Sequence, residues 1–170
     1  MVEEQLGAAS LRTAFGTVPS GVVAVCGVDA AGTRTGMAVS TFIPVSLDPP
    51  LVGLSVQVSS RTWPVLRAMP ALGISVLSSG HGPAARQLAA REGDRFVGLT
   101  THIADSGAVY IDGAPTRFEC SIEQEVPAGD HLLVTLRVHS ITVDLDAAPL
   151  IFHRSAFAGV VPLSGAGLLT

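Results

Sequence analysis

Two long runs of alternating residues, separated by a tight turn, limit what this chain can fold into more than any other feature. "RFECSIEQEV" (117–126) sets Phe118, Cys120, Ile122 and Val126 against Arg117, Glu119, Ser121, Glu123 and Glu125. After "PAGD", the run "HLLVTLRVHSITV" (131–143) has an apolar row of Leu132, Val134, Leu136 and Val138. Successive side chains of a strand point to opposite faces, so each run is a strand with one face for a core and one for water. The Pro/Gly/Asp turn between them sends the second strand back along the first.

Other strands follow. "GVVAVCGV" (21–28) is a continuous apolar run of β-branched character, and "DAAGTR" after it has turn chemistry that leads into "TGMAVSTFIPV". "LVGLSVQVS" alternates Val52, Leu54, Val56 and Val58 with Gly53, Ser55, Gln57 and Ser59, and "ALGISVLS" reads as a short buried strand. Helices are fewer. One is expected from Glu3 to Thr17, acidic at its start as the helix dipole favours. A second spans Thr62 to Ala68, with Pro64 in its first turn. A third runs from Pro83 to "REGD", with Gly93 as C-cap. Many spaced strands joined by turns predict a mainly β fold with a few helices, a barrel or a sandwich.

The length of 170 residues fits a single domain. The low charged fraction of 14% argues against disorder and hints at a surface hidden in an oligomer. The net charge of −4, without a Lys/Arg cluster, argues against nucleic acid as a partner. No secretory signal and no apolar run of membrane-spanning length is seen, so a cytoplasmic protein without membrane contact is expected. Cys26 and Cys120 stand alone in apolar or alternating runs and read as buried thiols. His81, His102, His139 and His153 have no metal-ligand spacing, so no metal site is expected. There is no Gly-x-Ser-x-Gly elbow for a hydrolase.

The chemistry gathers around "TRTGMAVSTFIPVSLDPPLV" (33–52). Met37, Val39, Thr41, Ile43, Val45 and Leu47 make a mostly apolar row, whereas Gly36, Ala38, Ser40 and Ser46 of the other row are small. Small residues let another group approach the backbone closely. That group is either a flat hydrogen-bonding ring or a neighbouring structural element. If this strand pairs with "LVGLSVQVS", their small faces form one shallow wall. "SSRTW" then adds the hydroxyls of Ser59, Ser60 and Thr62, the charge of Arg61 and the free N–H groups of a helix start, which is phosphate-site chemistry or ordinary N-capping. "GDRF" contributes Arg95 and Phe96.

The order "GMAVSTFIPVSLDPPLV", "SSRTW", "GDRF", "PAGDH", "PLIFHRSAF" resembles the flavin reductase family with the FMN-binding split-barrel fold, the reductase partners of two-component flavin monooxygenases. The likeness spans about residues 11–158, with 161–170 left as a loose tail. It implies a six-stranded antiparallel split β-barrel of Greek-key type and a homodimer with flavin near the subunit interface. It also implies an NAD(P)H-dependent reduction of FMN or FAD, with NADH or NADPH as donor, that supplies a separate oxygenase. Carried onto this sequence, Thr35, Gly36, Met37, Ala38, Val39, Ser40 and Thr41 hold the flavin ring through their backbone. Gln57, Val58, Ser59, Ser60, Arg61 and Thr62 hold the ribityl chain and phosphate, Arg95 and Phe96 assist, His131 sits beside the nicotinamide as the catalytic residue, and Phe157 covers part of the pocket. Gln57 departs from the acidic residue or Asn frequent there, though an amide also bonds hydroxyls. A flavin carrier or sensor without turnover, on the same scaffold, is the alternative.

Overall fold

A computed structural model describes residues 6–161. In chain order its elements are α1 (Ala8–Gly16), β1 (Ser20–Gly21), β2 (Val23–Val28), β3 (Arg34–Val39), β4 (Ile43–Leu47), β5 (Pro50–Gln57), α2 (Trp63–Leu66) and β6 (Leu72–Val76). After a short 3-10 turn come α3 (Gly82–Leu88), β7 (Thr101–Ile103), β8 (Val109–Ile111), β9 (Thr116–Ala128), β10 (His131–Val143), β11 (Ile151–His153) and β12 (Ala156–Ala158). The main sheet is antiparallel, with seven strands in the order β3-β2-β6-β9-β10-β5-β4. Strands β1, β11 and β12 form a second small sheet, and β7 and β8 a third.

The mainly β architecture follows the alternation read from the sequence, but the expected six-strand closed barrel does not. The run from Arg34 to Leu47 is not one strand. Ser40, Thr41 and Phe42 leave the ladder and divide it into β3, paired with β2, and β4, paired with β5. The expected pairing of β3 with β5 is likewise absent, since the two lie far apart in the strand order. A side chain joins them instead: the Thr41 hydroxyl donates to the Ser55 carbonyl at 2.9 Å and accepts the Ser55 N–H at 3.0 Å. Beyond the break the apolar row turns outward, leaving Ile43, Val45 and Leu47 exposed.

The β9–β10 hairpin turns through Gly129, whose φ of +64° suits a residue without Cβ. Its register shifts twice. Val138 faces Cys120 but Ser140 faces Glu119, leaving His139 as the extra residue on β10. At the other shift, Thr135 faces Gln124 but Leu136 faces Ile122, so Glu123 is the extra residue of a bulge. A one-residue slip exchanges the faces of a strand. Beyond Glu123, therefore, Val126 is exposed rather than inward, and Glu125, expected outside, accepts the Trp63 indole N–H at 2.6 Å and pairs with Arg67. Here β9 holds α2, the helix that follows the "SSR" turn. Glu123 itself takes a two-bond pair from Arg137 at 2.7 and 2.8 Å.

The core has two main parts, and β2 divides them. Val23 and Val25 pack with Leu54, Leu72, Ile74 and Leu136, whereas Ala24 and Cys26 pack with Leu77, Leu88, Phe96 and Ile111. A strand covered on both faces needs apolar residues at every position, which accounts for the unbroken "VVAVC". Each fully buried Leu contributes about 1.5–3 kcal/mol through its removal from water. Burial pushes the Cys26 and Cys120 thiols up to about 12, so neither forms a thiolate near neutral pH. Both should resist alkylation by iodoacetamide at pH 8 in the folded protein and react fully in denaturant. Mass spectrometry before and after unfolding checks this, and labelling of the native protein would contradict the burial.

The helices are shorter than expected. The acidic residues Glu3 and Glu4 lie outside the described residues, as does the tail expected for 161–170 apart from Val161. Helix α2 stops at Leu66, with Pro64 in its first turn. Helix α3 ends at Leu88, and Gly93, with φ of +86°, serves the following loop rather than a C-cap. "GVVAVCGV" begins its main-sheet pairing only at Val23, because Val22 N–H bonds the Leu150 carbonyl and the preceding β1 pairs with β11. Val58 is exposed beyond the end of β5 and does not continue the inward row.

Candidate functional site

Where β3 leaves the sheet, its last residues face β5 and the "SSRT" turn across a cavity of about 630 Å³. Met37, Ala38, Val39, Ser40 and Thr41 form one wall, and Gln57 with Ser59, Ser60, Arg61 and Thr62 another. Arg95 and His131 also border it. The slot beside Ala38 and Ser40 is therefore open. Its volume falls within the range usual for small-molecule and cofactor sites, about 300–1,000 Å³.

The expected residues divide into three groups. Thr35, Gly36 and Phe96 do not border this cavity but a neighbouring niche, which shares Arg61, Thr62 and Arg95 with it. Gly36 is bare for packing: a Cβ there would stand 2.6 Å from the Cys26 sulphur and 2.8 Å from the Phe96 ring. Its carbonyl still serves the site by accepting Arg95. Val58 lies with Gln57, Ser59, Gly129 and Asp130 in a hollow alongside. Phe157 stands away from all three, edge-on to Phe152 at 5.8 Å and beneath the Arg86 guanidinium at 5.2 Å. Residues not foreseen are Ser55 and Val56 on β5, Leu88, Ala89 and Arg91 at the end of α3, and Arg34 in the niche. Ser55 belongs to the small polar row of its strand and was legible there. The others arrive through tertiary packing.

Several of these polar groups are held in place. The Ser60 hydroxyl accepts the Trp63 N–H at 3.1 Å, capping the start of α2. Arg95 donates to the Gly36 carbonyl at 2.9 Å and to the Thr62 hydroxyl at 2.8 Å, so it joins the β3 wall to the "SSRT" turn. Arg61 reaches the Arg91 carbonyl at 3.4 Å. Ion pairs among the described residues are made by Arg67, Arg117, Arg137 and His131, so Arg61, Arg91 and Arg95 face the cavity without a carboxylate partner. Cations left uncompensated beside hydroxyls suit a phosphoryl group. The free N–H groups expected at the start of α2 are not there: the Trp63 N–H goes to Ser60, Pro64 has none, and the Val65 N–H bonds the Thr62 carbonyl.

His131 begins β10 directly opposite Gln57 of β5. Its Nδ1 lies 2.7 Å from the Asp130 carboxylate. That hydrogen bond holds the Asp130 carboxyl below its usual range, so the contact stands above that lowered value and is lost as pH falls through it. With Nδ1–H donating to the Asp130 carboxylate, Nε2 is the nitrogen left for a ligand.

The arrangement provides a wall of short side chains and backbone, a cluster of hydroxyls and guanidiniums, and an oriented imidazole, all bordering one cavity. Known proteins resemble the chain along most of its length. The family model described as "Flavin reductase like domain" matches residues 15–160. A flavin reductase of Pseudomonas putida is 33% identical over 87% of each chain. The actinorhodin polyketide dimerase of Streptomyces coelicolor is 31% identical over 92% of this chain and 88% of its own. Among solved structures, the nitrilotriacetate monooxygenase component B homologue of Mycobacterium thermoresistibile superposes with a TM-score of 0.89 at 27% identity, covering 95% of this chain and 91% of that one. The NADH:FAD oxidoreductase of Streptomyces globisporus, solved with NAD and FAD fragments, gives 0.86 at 31% identity over 92% and 94%. With so much of its length matched by the family model, and with relatives above 30% identity across nearly all of it, this chain belongs to the flavin reductase-like domain family.

Proposed function

We propose that the chain is an NAD(P)H-dependent flavin reductase that passes reduced FMN or FAD to a separate oxygenase. The observation that carries this reading is the single cavity running from the Ala38–Thr41 wall to the uncompensated Arg61 and Arg95. A bound flavin supplies the two-electron chemistry, accepting hydride from reduced nicotinamide. The chain's own residues bind and orient. The backbone of Met37–Thr41 borders the ring, Gln57 offers its amide to ribityl hydroxyls, and Ser59–Thr62 with Arg95 hold the phosphate. His131 positions the nicotinamide, with Asp130 fixing the imidazole so that Nε2 can accept from the carboxamide. Names of relatives support a role in a two-component system, among them a reductase subunit of a flavin-dependent monooxygenase from Rhodococcus jostii, 28% identical.

On the same reading the sheet is a split barrel, with Thr41, just past β3 at one edge, bonded to β5 next to the other edge. The protein is a homodimer of the cytoplasm. Helix α1 buries none of its residues, although it contains Leu11 and Phe15. A helix of this length is marginal alone in water and needs a surface to cover it. Exposed Ile43, Val45 and Leu47 on β4 add apolar surface. Sedimentation giving a monomer at micromolar concentration would remove this part of the proposal.

Mixing protein, free FMN or FAD, and NADH or NADPH tests the activity. Oxidation of nicotinamide well above the uncatalysed rate is expected for at least one combination, and background rates throughout would end the reading. Anaerobic mixing then isolates His131. His131→Ala should slow flavin reduction about 10- to 100-fold, the cost of a misplaced reactant, with flavin affinity within about 3-fold of the parent. Reduction at the parental rate would take His131 out of the site.

A further inference from the structure

Beyond the cavity, past Arg61 and Arg95, lies the niche of about 250 Å³ that also includes Arg34, Gly36 and Phe96. Three guanidiniums border it, those of Arg34, Arg61 and Arg95, and none is in an ion pair among the described residues. This concentration of positive charge occurs in a chain whose net charge is −4. The one acid in the lining, Asp94, turns an oxygen to the Phe96 N–H at 2.8 Å.

Arg34 is built into place. It donates to the Thr101 hydroxyl at 2.8 Å, and its guanidinium sits 5.0 Å above the Phe96 ring centroid. A guanidinium has five N–H donors, and among the described residues one of Arg34's is used, by the Thr101 hydroxyl. An arginine oriented by an aromatic face and a hydroxyl, with donors to spare and no carboxylate, suits a phosphoryl oxygen.

From this geometry we infer that Arg34, Arg61 and Arg95 form a second phosphoryl subsite, and that it selects FAD over FMN by binding the phosphate on the adenosine side of the dinucleotide. The inference rests on the reading above, in which the flavin's own phosphate lies at Ser59–Thr62. Arg61, Thr62 and Arg95 border both spaces, so the niche adjoins the place of the first phosphate, one linkage away in a dinucleotide. The other source of such a group is the 2′-phosphate of NADPH. His131, which marks the nicotinamide side, borders the cavity and not the niche, so the niche belongs to the flavin.

The test measures FMN and FAD affinities by calorimetry for the parent, Arg34→Gln and Arg34→Lys, with NADH and NADPH kinetics alongside. The parent should bind FAD about 10-fold more tightly than FMN, the scale of one charge-assisted hydrogen bond. Arg34→Gln should erase that preference while FMN stays within about 2-fold, and Arg34→Lys should restore part of it by returning the charge. Equal weakening of FMN and FAD, or loss confined to NADPH, would overturn the assignment. If Arg34→Gln does not fold, the parent decides, because equal affinities or tighter FMN also overturn it. A parent that binds neither flavin defeats the proposed function, whereas FMN binding without FAD preference defeats only this subsite.

Discussion

Arg95→Ala should lower flavin affinity by about 10- to 100-fold. Arg95 supplies both hydrogen bonds that tie the β3 wall to the "SSRT" turn, to the Gly36 carbonyl and to the Thr62 hydroxyl. Hydrogen bonds from a charged donor contribute about 1.5–3 kcal/mol each, and every 1.4 kcal/mol is about tenfold in affinity. Alanine removes the cation from the cavity and frees the two walls to separate. Arg95→Lys keeps a charge but has no planar fork for two acceptors at once, so its affinity should fall between parent and alanine. Fluorescence titration with FMN, beside a denaturation curve, separates the two consequences. Unchanged affinity in a folded Arg95→Ala protein would mean that no phosphate lies beside this guanidinium, and the site would have to be redrawn.

The largest loss of stability is expected far from the cavity. Gly73 lies in β6, paired with Cys26 of β2 on one side and Glu119 of β9 on the other. The backbone of β8 crosses directly above it. A Cβ at Gly73 would fall 2.2 Å from the Val109 carbonyl oxygen and 2.8 Å from its nitrogen. These are main-chain atoms and cannot rotate aside, so the strand itself must move. Overpacking of a filled core costs about 1–3 kcal/mol and sometimes more, and Gly73→Ala belongs at or above the upper end. The control is Gly21→Ala, where nothing lies within 4 Å, and which should remain within about 0.5 kcal/mol of the parent. Urea denaturation compares the two. A Gly73→Ala protein as stable as the parent would show that β8 shifts freely.

Much of the site was legible because its residues are close in sequence. Ala38, Ser40, Thr41, Gln57 and Ser59 to Thr62 stand in two segments, and small side chains followed by hydroxyls and a cation announce their chemistry wherever the chain goes. Arg95 was legible as the cation of "GDRF", whereas the role of His131 came only through the family resemblance. Arg34 and Arg91 were missed because an arginine at a strand start or after a helix is ordinary in sequence. Only the fold shows that neither has a carboxylate partner among the described residues.

The sequence by itself determined the longer strands of the main sheet, since a period of two needs no partner to be read, and the two-sided burial of β2, since no polar residue interrupts it; the short β7, β8, β11 and β12 were not foreseen. It also determined the turn that places His131 at the head of a strand. The tertiary structure decided where those patterns stop. The bulge at Glu123 turns Glu125 inward to hold Trp63, and the departure of Ser40–Phe42 from the ladder makes two strands of one and opens the cavity between them. Both depend on which strand lies opposite, a relation between residues distant in the chain that local alternation does not contain.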